Sequence, residues 1–517
     1  MPRSAARFPV EGGGYVDHDP AVTRDEERCS MGVEGLDDIL TGGLVADRVY
    51  LLQGQPGTGK TTLALQFLFA GRDRGEPVLY ITLSETRDEI LEVARSHGFS
   101  MEGVSLYELS TAEETLRLQD GGTMYATSDV ELQETMRVLL DEVERVKPRR
   151  VVFDSLSEIR LLSQTPVRFR RQLLALKQHF GKRRSTVLLL DDLTAERDEP
   201  QLASIAHGVL SLEQIPSSYG VDRRRLRVSK LRGSNFRSGY HDFVVRRGGL
   251  TVFPRLVAAE HRTDYGATSL PSGVSRLDAM LDGGIDRGNA ALIMGPAGAG
   301  KSILAMQLAC AAADRGEHVA MFLFEERLGT VRARARGLGM PLFEQAEAGR
   351  ISITQIDPAE VAPDEFSHQV RRAIENDATR VVIIDSINGY LNAMPEERAL
   401  TLQMHELLSY AGARGVATVI TLAQSGVMSQ MHSPVDVSYL ADTVLLLRYF
   451  EAEGRVRKAL SVLKKRSGRH EDTIREMSFD SRGIHLSEPL VAFRGVLAGV
   501  PVLMGPVDHA HGTRVDG

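Results

Sequence analysis

The sequence contains few cysteines and no long apolar run. Only Cys29 and Cys310 occur among 517 residues, in different halves and without a C-x-x-C partner. Neither a disulfide framework nor a zinc site is indicated, and a reducing compartment is favoured. No run of about 18 uncharged apolar residues is present, and the first residues lack the apolar segment of a signal peptide. We therefore expect a cytoplasmic protein without a membrane partner.

The sequence also lacks the excess of basic residues that is typical of a protein that coats nucleic acid. Its formal net charge is −7, whereas nucleic-acid binding relies on clustered Lys and Arg. Apolar residues make up 42% and charged residues 25%, which are ordinary values for a globular protein. A nucleic-acid partner is not expected, and extensive disorder is not indicated.

What the sequence does contain is a duplication. Three segments of the first half, MGVEGLDDILTGGL, GEPVLYITLSET and RRVVFDSLSEI, recur in order as PSGVSRLDAMLDGGI, GEHVAMFLFEER and TRVVIIDSING. A repeated order of features indicates a duplicated domain, and the chain is too long for one core. The polar stretch 254–265 separates the copies. We predict one domain over 1–260, with a flexible lead-in at 1–28, and a second over 261–517, with a short tail from about 494.

Short apolar runs alternate with helical stretches in both halves. The helical stretches include 61–70 and 302–313, and the runs are 49–53, 78–83, 151–153, 186–190, 290–294, 319–324, 381–384 and 416–422. Continuous apolar strands that alternate with helices predict an α/β fold with a mostly parallel sheet covered on both faces. Ligands then bind beyond the carboxyl ends of the strands.

Each half has a glycine-rich motif between an apolar run and a helical stretch. Both motifs fit G-x-x-x-x-G-K-[ST], in which main-chain N–H groups surround phosphates and the lysine reaches the β- and γ-phosphates. We predict ATP as the ligand. The candidate binding residues are Gly54, Gln55, Pro56, Gly57, Thr58, Gly59, Lys60, Thr61 and Thr62, and Gly295, Pro296, Ala297, Gly298, Ala299, Gly300, Lys301 and Ser302.

Hydroxyl and carboxyl groups at equivalent places predict a Mg²⁺ site in each half. Thr61 and Ser302 follow the P-loop lysines, and Asp154 and Asp385 each end an apolar strand. Such oxygen donors suit Mg²⁺ bound to ATP.

Hydrolysis also needs a group that activates water, and a carboxylate at the end of the strand beside the P-loop strand suits this role. The second half has Glu325 and Glu326 after its second apolar run, which we expect to be that strand. The first half has Ser84 and Glu85 there. We predict Glu325 to be the general base.

Both P-loops, the glutamate pair and the segment DTVLLLRYFEAEGRVRKALSVLKKRSG resemble the KaiC family of double-domain RecA-like ATPases over nearly the whole chain. The resemblance implies two tandem RecA-like P-loop domains, a homo-hexamer with ATP at subunit interfaces, and Ser/Thr autokinase activity in the second domain. It also implies that a Lys-x-Arg pair on a late strand contacts the γ-phosphate bound by the neighbouring subunit. The matching residues are Lys230 and Arg232, and Lys464 and Arg466.

The sequence departs from the family at three places. Ser84 replaces the first glutamate of the first half, which puts hydrolysis there in doubt. The adjacent phosphoacceptor pair of the clock protein aligns with Ser438 and Tyr439, which makes Ser438 the candidate acceptor. The tail after Phe493 differs from that of the clock protein, which argues against a KaiA-like partner, whereas a KaiB-like or other signalling partner stays open.

Three functions are compatible with these residues. The first is an oligomeric Mg²⁺-dependent ATPase with autokinase activity that serves as a signalling or timing switch. The second is a DNA-dependent ATPase of the RadA or DnaB type, and the third is a nucleotide-gated scaffold with negligible hydrolysis. The acidic charge of the chain argues against the second.

Overall fold

The structure, a computed structural model, describes residues 27–109, 128–193, 200–217, 220–261, 266, 268–392, 397–424, 438–497 and 502–503. Most of the predicted lead-in and tail therefore lies outside the described residues. Among the described residues, no helix is both long and apolar enough to cross a membrane.

The first half forms a nine-stranded sheet in the order β11-β10-β9-β8-β3-β7-β6-β4-β5. Strands β3, β7, β6, β4 and β5 pair in parallel, and β9, β10 and β11 pair antiparallel. The strands are β1 (Arg28–Cys29), β2 (Leu44–Val45), β3 (Val49–Gly54), β4 (Val78–Thr82), β5 (Ser105–Glu108), β6 (Arg150–Asp154), β7 (Thr186–Asp191), β8 (Gly208–Ile215), β9 (Arg223–Leu231), β10 (Tyr240–Arg246) and β11 (Gly249–Phe253).

Helices connect the parallel strands of this sheet. Two begin at clear capping residues: Thr86 and Glu89 form a capping box, and Thr165 accepts the Arg168 N–H ahead of Pro166. Such caps satisfy N–H groups that the first turn leaves unpaired. The helices are α1 (Glu34–Ile39), α2 (Lys60–Arg72), α3 (Arg87–Ser96), α4 (Ser128–Val146), α5 (Leu156–Ser163), α6 (Pro166–Arg183) and α7 (Pro200–Ile205).

The second half repeats this architecture in the order β16-β15-β17-β18-β14-β19-β20-β21-β22. The strands from β16 to β19 pair in parallel, and those from β19 to β22 pair antiparallel. The strands are β12 (Ser269–Leu270), β13 (Ile285–Asp286), β14 (Ala290–Gly295), β15 (Val319–Leu323), β16 (Ile351–Gln355), β17 (Val381–Asp385), β18 (Ala417–Ala423), β19 (Thr443–Ala452), β20 (Arg455–Lys465), β21 (Ile474–Asp480), β22 (Gly483–Pro489), β23 (Phe493–Arg494) and β24 (Val502–Leu503).

Helices flank this second sheet as well, and two 3₁₀ turns, Ala258–Glu260 and Ser438–Leu440, complete the described elements. The helices are α8 (Ser275–Met280), α9 (Lys301–Asp314), α10 (Leu328–Gly337), α11 (Leu342–Glu347), α12 (Pro363–Asn376), α13 (Ile387–Asn392) and α14 (Glu397–Ala413).

The core of the second half shows why its strands are continuously apolar. Along β17, Val381 and Ile383 belong to one buried cluster, whereas Val382 and Ile384 belong to another. Successive strand residues point to opposite faces, so both faces of the sheet at β17 are covered and every residue of this strand is buried. The predicted α/β fold of two tandem, mostly parallel sheets covered by helices is confirmed.

Tertiary contacts divide the chain into two compact units whose limits differ from the predicted domain boundary. One contains the described residues of Met1–Gln53, Lys60–Val209 and Lys230–Arg237, and the other those of Gly54–Gly59, Leu210–Ser229 and Ser238–Gly517. The boundary near residue 260 stays a prediction from the repeat.

Candidate active sites

The P-loop of the second half runs from the end of β14 into α9. Gly298 and Gly300 have left-handed backbone conformations, with φ values of 76° and 112°. A Cβ added at Gly300 would overlap the Phe479 ring, so glycine is needed there for both conformation and space. The chain thereby turns into the N-terminus of α9, where successive N–H groups can bind phosphate.

Lys301, the first residue of α9, lies among acidic groups. Its side chain is only 8% exposed, and its Nζ donates to the Pro296 carbonyl at 2.8 Å. Burial lowers the pKa of Lys301, and the nearby carboxylates of Asp385, Glu325 and Glu326 act in the opposite direction. Opposite charges favour the cationic form, so the lysine can act as a phosphate-binding cation.

Asp385 ends β17 and contacts the residue after the P-loop lysine. Its carboxyl group is buried and accepts hydrogen bonds from Thr421 Oγ1 and from the Ser302 hydroxyl. Burial raises the pKa of Asp385, and these two hydrogen bonds lower it. The Oγ of the adjacent Ser386 is buried without a hydrogen-bond partner among the described residues. Hydroxyl and carboxylate oxygens are the donors that Mg²⁺ prefers, so Ser302 and Asp385 fit this ion.

Such a site depends on the nucleotide for its remaining ligands. Within the described part of the chain, no group of three or more His, Cys, Asp and Glu residues is placed to hold a metal ion. Mg²⁺ commonly binds through one or two carboxylates together with substrate phosphates, which is compatible with this arrangement.

The two glutamates of the second half have different surroundings. Glu326 forms a two-fold ion pair with Arg334, with N–O distances of 2.8 and 2.5 Å. Glu325 is exposed, and no ion pair or hydrogen bond of its carboxylate occurs among the described residues. Because a base needs an available lone pair, Glu325 is the better placed of the two to accept a proton from water.

The predicted strand neighbour of the P-loop strand is wrong. The strand that leads to Glu325, β15, lies between β16 and β17, whereas β14 lies between β18 and β19. In the first half, β4 likewise lies between β6 and β5, away from β3. Helical crossovers place strands in an order that differs from their order along the chain. Leu323 nevertheless pairs in register with Asp385, so the glutamates still follow a strand end next to the aspartate.

In the first half, the P-loop lysine has an acidic partner that sequence reasoning missed. Lys60 is 6% exposed, and its Nζ lies 2.9 Å from Asp192 Oδ1. Asp192 directly follows β7, which is a true neighbour of the P-loop strand β3. The sequence feature that could have indicated Asp192 is the pair of acids, Asp191 and Asp192, that directly follows the apolar run TVLLL.

A tyrosine contacts both predicted Mg²⁺ ligands of the first half. The Tyr80 hydroxyl donates to Asp154 Oδ2 at 2.5 Å and also shares a hydrogen bond with Thr61. Tyr80 therefore stands between the hydroxyl and the carboxylate that would hold Mg²⁺, whereas Ser302 contacts Asp385 directly. Burial raises the pKa of Asp154 to about 6.

In the first half, Ser84 and Glu85 occupy the places of Glu325 and Glu326, so Glu85 is the acid of this pair. Burial raises its pKa to about 7, and the charges of Asp154, Glu89 and Asp192 add to the effect. Its Oε2 is buried without a hydrogen-bond partner among the described residues. A carboxyl group with a pKa near neutrality can exchange protons with water at physiological pH.

The two predicted Lys-x-Arg pairs contact the short helical segment that precedes a strand in each half and the residue after it, with α7 in the first half and the 3₁₀ turn Ser438–Leu440 in the second. Lys230 Nζ donates to the carbonyls of Ala203 and Ala206, and Arg232 donates to the Ser204 carbonyl at 2.9 Å. In the second half, Lys464 Nζ donates to the Ala441 carbonyl at 2.8 Å, and Arg466 donates to the Tyr439 carbonyl at 3.1 Å.

Ser438, the candidate phosphoacceptor, begins the turn that Arg466 contacts. The backbone of Ser438–Leu440 forms a 3₁₀ turn, and the side chain of Ser438 lies outside what the structure describes. Tyr439 beside it is 51% exposed. Lys464, Arg466 and the candidate acceptor turn therefore lie together in the second half.

Comparison with known proteins matches this architecture to one family. The KaiC ATPase family matches residues 29–257 and 270–491. The circadian clock oscillator protein KaiC of Synechococcus elongatus is 26% identical over 494 residues, which cover 91% of each chain. The circadian clock protein KaiC3 of Synechocystis sp. is 24% identical over 489 residues, or 92% of this chain and 95% of that protein. Since both repeats match over most of their length, with a P-loop in each, the chain belongs to the KaiC family of ATPases.

Proposed function

We propose that the chain binds Mg²⁺-ATP at both P-loops and hydrolyses it chiefly in the second half. The observation that carries this proposal is the contact of Ser302 with Asp385 next to the buried Lys301. A hydroxyl, a carboxylate and a cation at the end of one P-loop are the groups that Mg²⁺-triphosphate chemistry requires. The test compares phosphate release from Mg²⁺-ATP by the wild-type chain with release by a chain that carries both Lys60→Ala and Lys301→Ala.

In the second half, different residues bind the phosphates, hold the metal ion and accept the proton. Lys301 binds the β- and γ-phosphates, Ser302 and Asp385 hold Mg²⁺, and Glu325 takes a proton from the attacking water. When bound, the metal ion neutralises charge on the phosphate oxygens. Glu326 stays in its ion pair with Arg334 of α10.

The first half is proposed to bind ATP mainly for assembly. Tyr80 lies between its Mg²⁺ ligands, and Ser84 stands where the second half has its base. Glu85 remains as an alternative base, and its pKa of about 7 leaves it partly ionised at neutral pH.

We further propose a ring of identical chains, a hexamer as in the family, in which Lys464 and Arg466 act on the γ-phosphate held by the neighbouring chain. Lys464→Ala is expected to slow second-site turnover on the order of 100-fold and to leave ATP binding intact, because the cation acts only across the interface. Turnover is measured in a Lys60→Ala background, with size-exclusion chromatography in ATP to follow assembly. Arg455→Ala, which removes an exposed charge from the same strand, is the matched control.

Mixing provides the decisive measurement for action across the interface. In the Lys60→Ala background, chains with Lys464→Ala turn over slowly and chains with Lys301→Ala do not turn over. The two are expected to regain part of the turnover when they assemble together. At some interfaces, the intact Lys301 of one chain then faces the intact Lys464 of its neighbour. No recovery in mixed assemblies, or a monomer at saturating ATP, would contradict the proposal.

Autokinase activity at Ser438 is the proposed signalling output, with a KaiB-like or other protein as the partner that reads it. Incubation with Mg²⁺-ATP is expected to place phosphate on Ser438, because its turn lies beside Arg466. Mass spectrometry after incubation locates the phosphate. Ser438→Ala should remove it, whereas Tyr439→Phe should not. Labelling that survives Ser438→Ala would remove this assignment.

A further inference from the structure

The strand beside the first P-loop strand ends in two acids with different partners. In the parallel pair of β3 and β7, Gln53 lies opposite Asp191. Asp191 is buried and pairs with Arg160 at 3.1 Å. Asp192 comes next along the chain and points to Lys60 instead. The end of β7 thus places Asp192 in a direct ion pair with the P-loop lysine, whereas Asp191 pairs with Arg160 and interacts with Lys60 only through its charge.

The ion pair between Lys60 and Asp192 is largely shielded from water. Lys60 is 6% exposed, Asp192 is 25% exposed, and the Nζ–Oδ1 distance is 2.9 Å. Asp192 Oδ2 also accepts a hydrogen bond from Ser157 at 3.4 Å. Such a pair is screened less than a surface pair, so its charge affects whatever else binds the lysine.

The charge of Asp192 also reaches the other acids of this site. It contributes to the raised pKa of Asp154 and of Glu85. The negative potential of Asp192 therefore extends over the groups at the phosphate end of the P-loop. A polyanion that binds there meets like charge.

The second half offers an internal comparison. Its P-loop strand pairs with β18 in the equivalent register, with Met294 opposite Leu422 and Gly295 opposite Ala423. Ala423 is the counterpart of Asp192. Lys301 donates to a main-chain carbonyl, and no ion pair of Lys301 occurs among the described residues. Leu422 and Ala423 thus stand where the first half has Asp191 and Asp192. Among the described residues, the two lysines differ in that only Lys60 forms a direct ion pair with a carboxylate.

We propose that Asp192 competes with the phosphates of ATP for Lys60, so that the first site binds nucleotide more weakly than it would without this carboxylate. The proposal rests on nucleotide binding at the P-loops. The β- and γ-phosphates need the same ammonium group, so they must either displace Asp192 or share Lys60 with it. Either outcome lowers the affinity of the first site for ATP. Asp192 thus acts on the affinity only through its ion pair with Lys60.

The first test measures binding of a fluorescent ATP analogue with Mg²⁺ in a Lys301→Ala background, where only the first site can bind. Asp192→Asn removes the charge and keeps the shape, and is expected to tighten binding about ten-fold, the equivalent of about 1.4 kcal/mol. Asp192→Glu keeps the charge and should stay near the parent affinity. An unchanged affinity in Asp192→Asn would overturn the proposal, and so would weaker binding, which would mean that Asp192 orients Lys60 for phosphate.

The reciprocal change tests the same idea at the other P-loop. In a Lys60→Ala background, Ala423→Asp is expected to weaken binding at the second site about ten-fold, whereas Ala423→Asn should weaken it much less. Thermal unfolding checks that each variant is folded. If Asp192→Asn does not fold, the comparison of Ala423→Asp with Ala423→Asn tests the proposal instead. No effect of Ala423→Asp would count against the proposal. Absence of nucleotide binding in the Lys60→Ala chain itself would instead sink the proposed function.

Discussion

Phosphate release from Mg²⁺-ATP is expected to fall to the blank rate in a chain that carries both Lys60→Ala and Lys301→Ala. Each lysine is buried at the end of its P-loop, 6% and 8% exposed. A cation in such a dry position interacts with phosphate far more strongly than one in water. Removing one such donor costs on the order of 100-fold or more in turnover.

Single variants separate the two sites. Lys301→Ala is expected to abolish ATP binding at the second site and to remove most of the turnover, whereas Lys60→Ala should remove little of it. Calorimetric titration counts the remaining sites, and a coupled assay measures phosphate. Lys182→Ala, which removes an exposed lysine of α6, is the control for charge. Wild-type release by the double variant would refute the proposed function.

Glu325→Gln is expected to reduce second-site turnover by about 100-fold or more while the affinity for ATP changes little. Gln keeps the size of the side chain and cannot accept the proton from water. In a Lys60→Ala background, the measured rate belongs to the second site alone. Glu326→Gln is the matched control. It weakens the pair with Arg334, and we expect a smaller loss of turnover and a lower melting temperature.

Equal rates in wild type and Glu325→Gln would favour a scaffold that uses ATP only for assembly.

With Lys60 intact, the turnover that remains in Glu325→Gln is assigned to the first site and should depend on pH. The pKa of Glu85 is raised from 4.5 to about 7, so the group is ionised, and able to act as a base, only above that range. Residual turnover should therefore rise as the pH passes about 7 and should disappear in Glu85→Gln.

The same shift affects stability with the opposite sign. A carboxyl group whose pKa is higher in the folded chain binds protons more tightly there, so its stabilising contribution is present below pH 4.5 and is lost as the pH rises through about 7. Above that range, the ionised Glu85 is held among Asp154, Glu89 and Asp192 at a cost to folding.

The local parts of the sites were readable from the sequence. A P-loop needs only a strand, a glycine-rich turn and a helix in succession, so its residues lie within one short segment of chain. The alternation of apolar runs and helices likewise predicted two mostly parallel sheets, because buried strands have no polar face. Asp154 and Asp385 were found because each ends such a run.

Contacts between strands were not readable in this way. The hydroxyl groups that bond to the two aspartates come from different strands, Tyr80 on β4 and Thr421 on β18. Arg334 was not recognised as the partner of Glu326, and the neighbour of the P-loop strand was assigned incorrectly. The hydroxyl contacts and the strand order depend on which strands meet in space, whereas the pair of Glu326 and Arg334 depends on how the chain turns into α10.

By itself, the sequence determined that this chain is a duplicated α/β protein with two phosphate-binding loops, because those features arise from residues close together along the chain. Only the tertiary structure decided that Asp192 forms an ion pair with Lys60 and that Ala423 takes the equivalent place in the second half. The physical reason is that helical crossovers set the order of strands in a parallel sheet. The charges that meet at its carboxyl edge therefore come from distant parts of the chain.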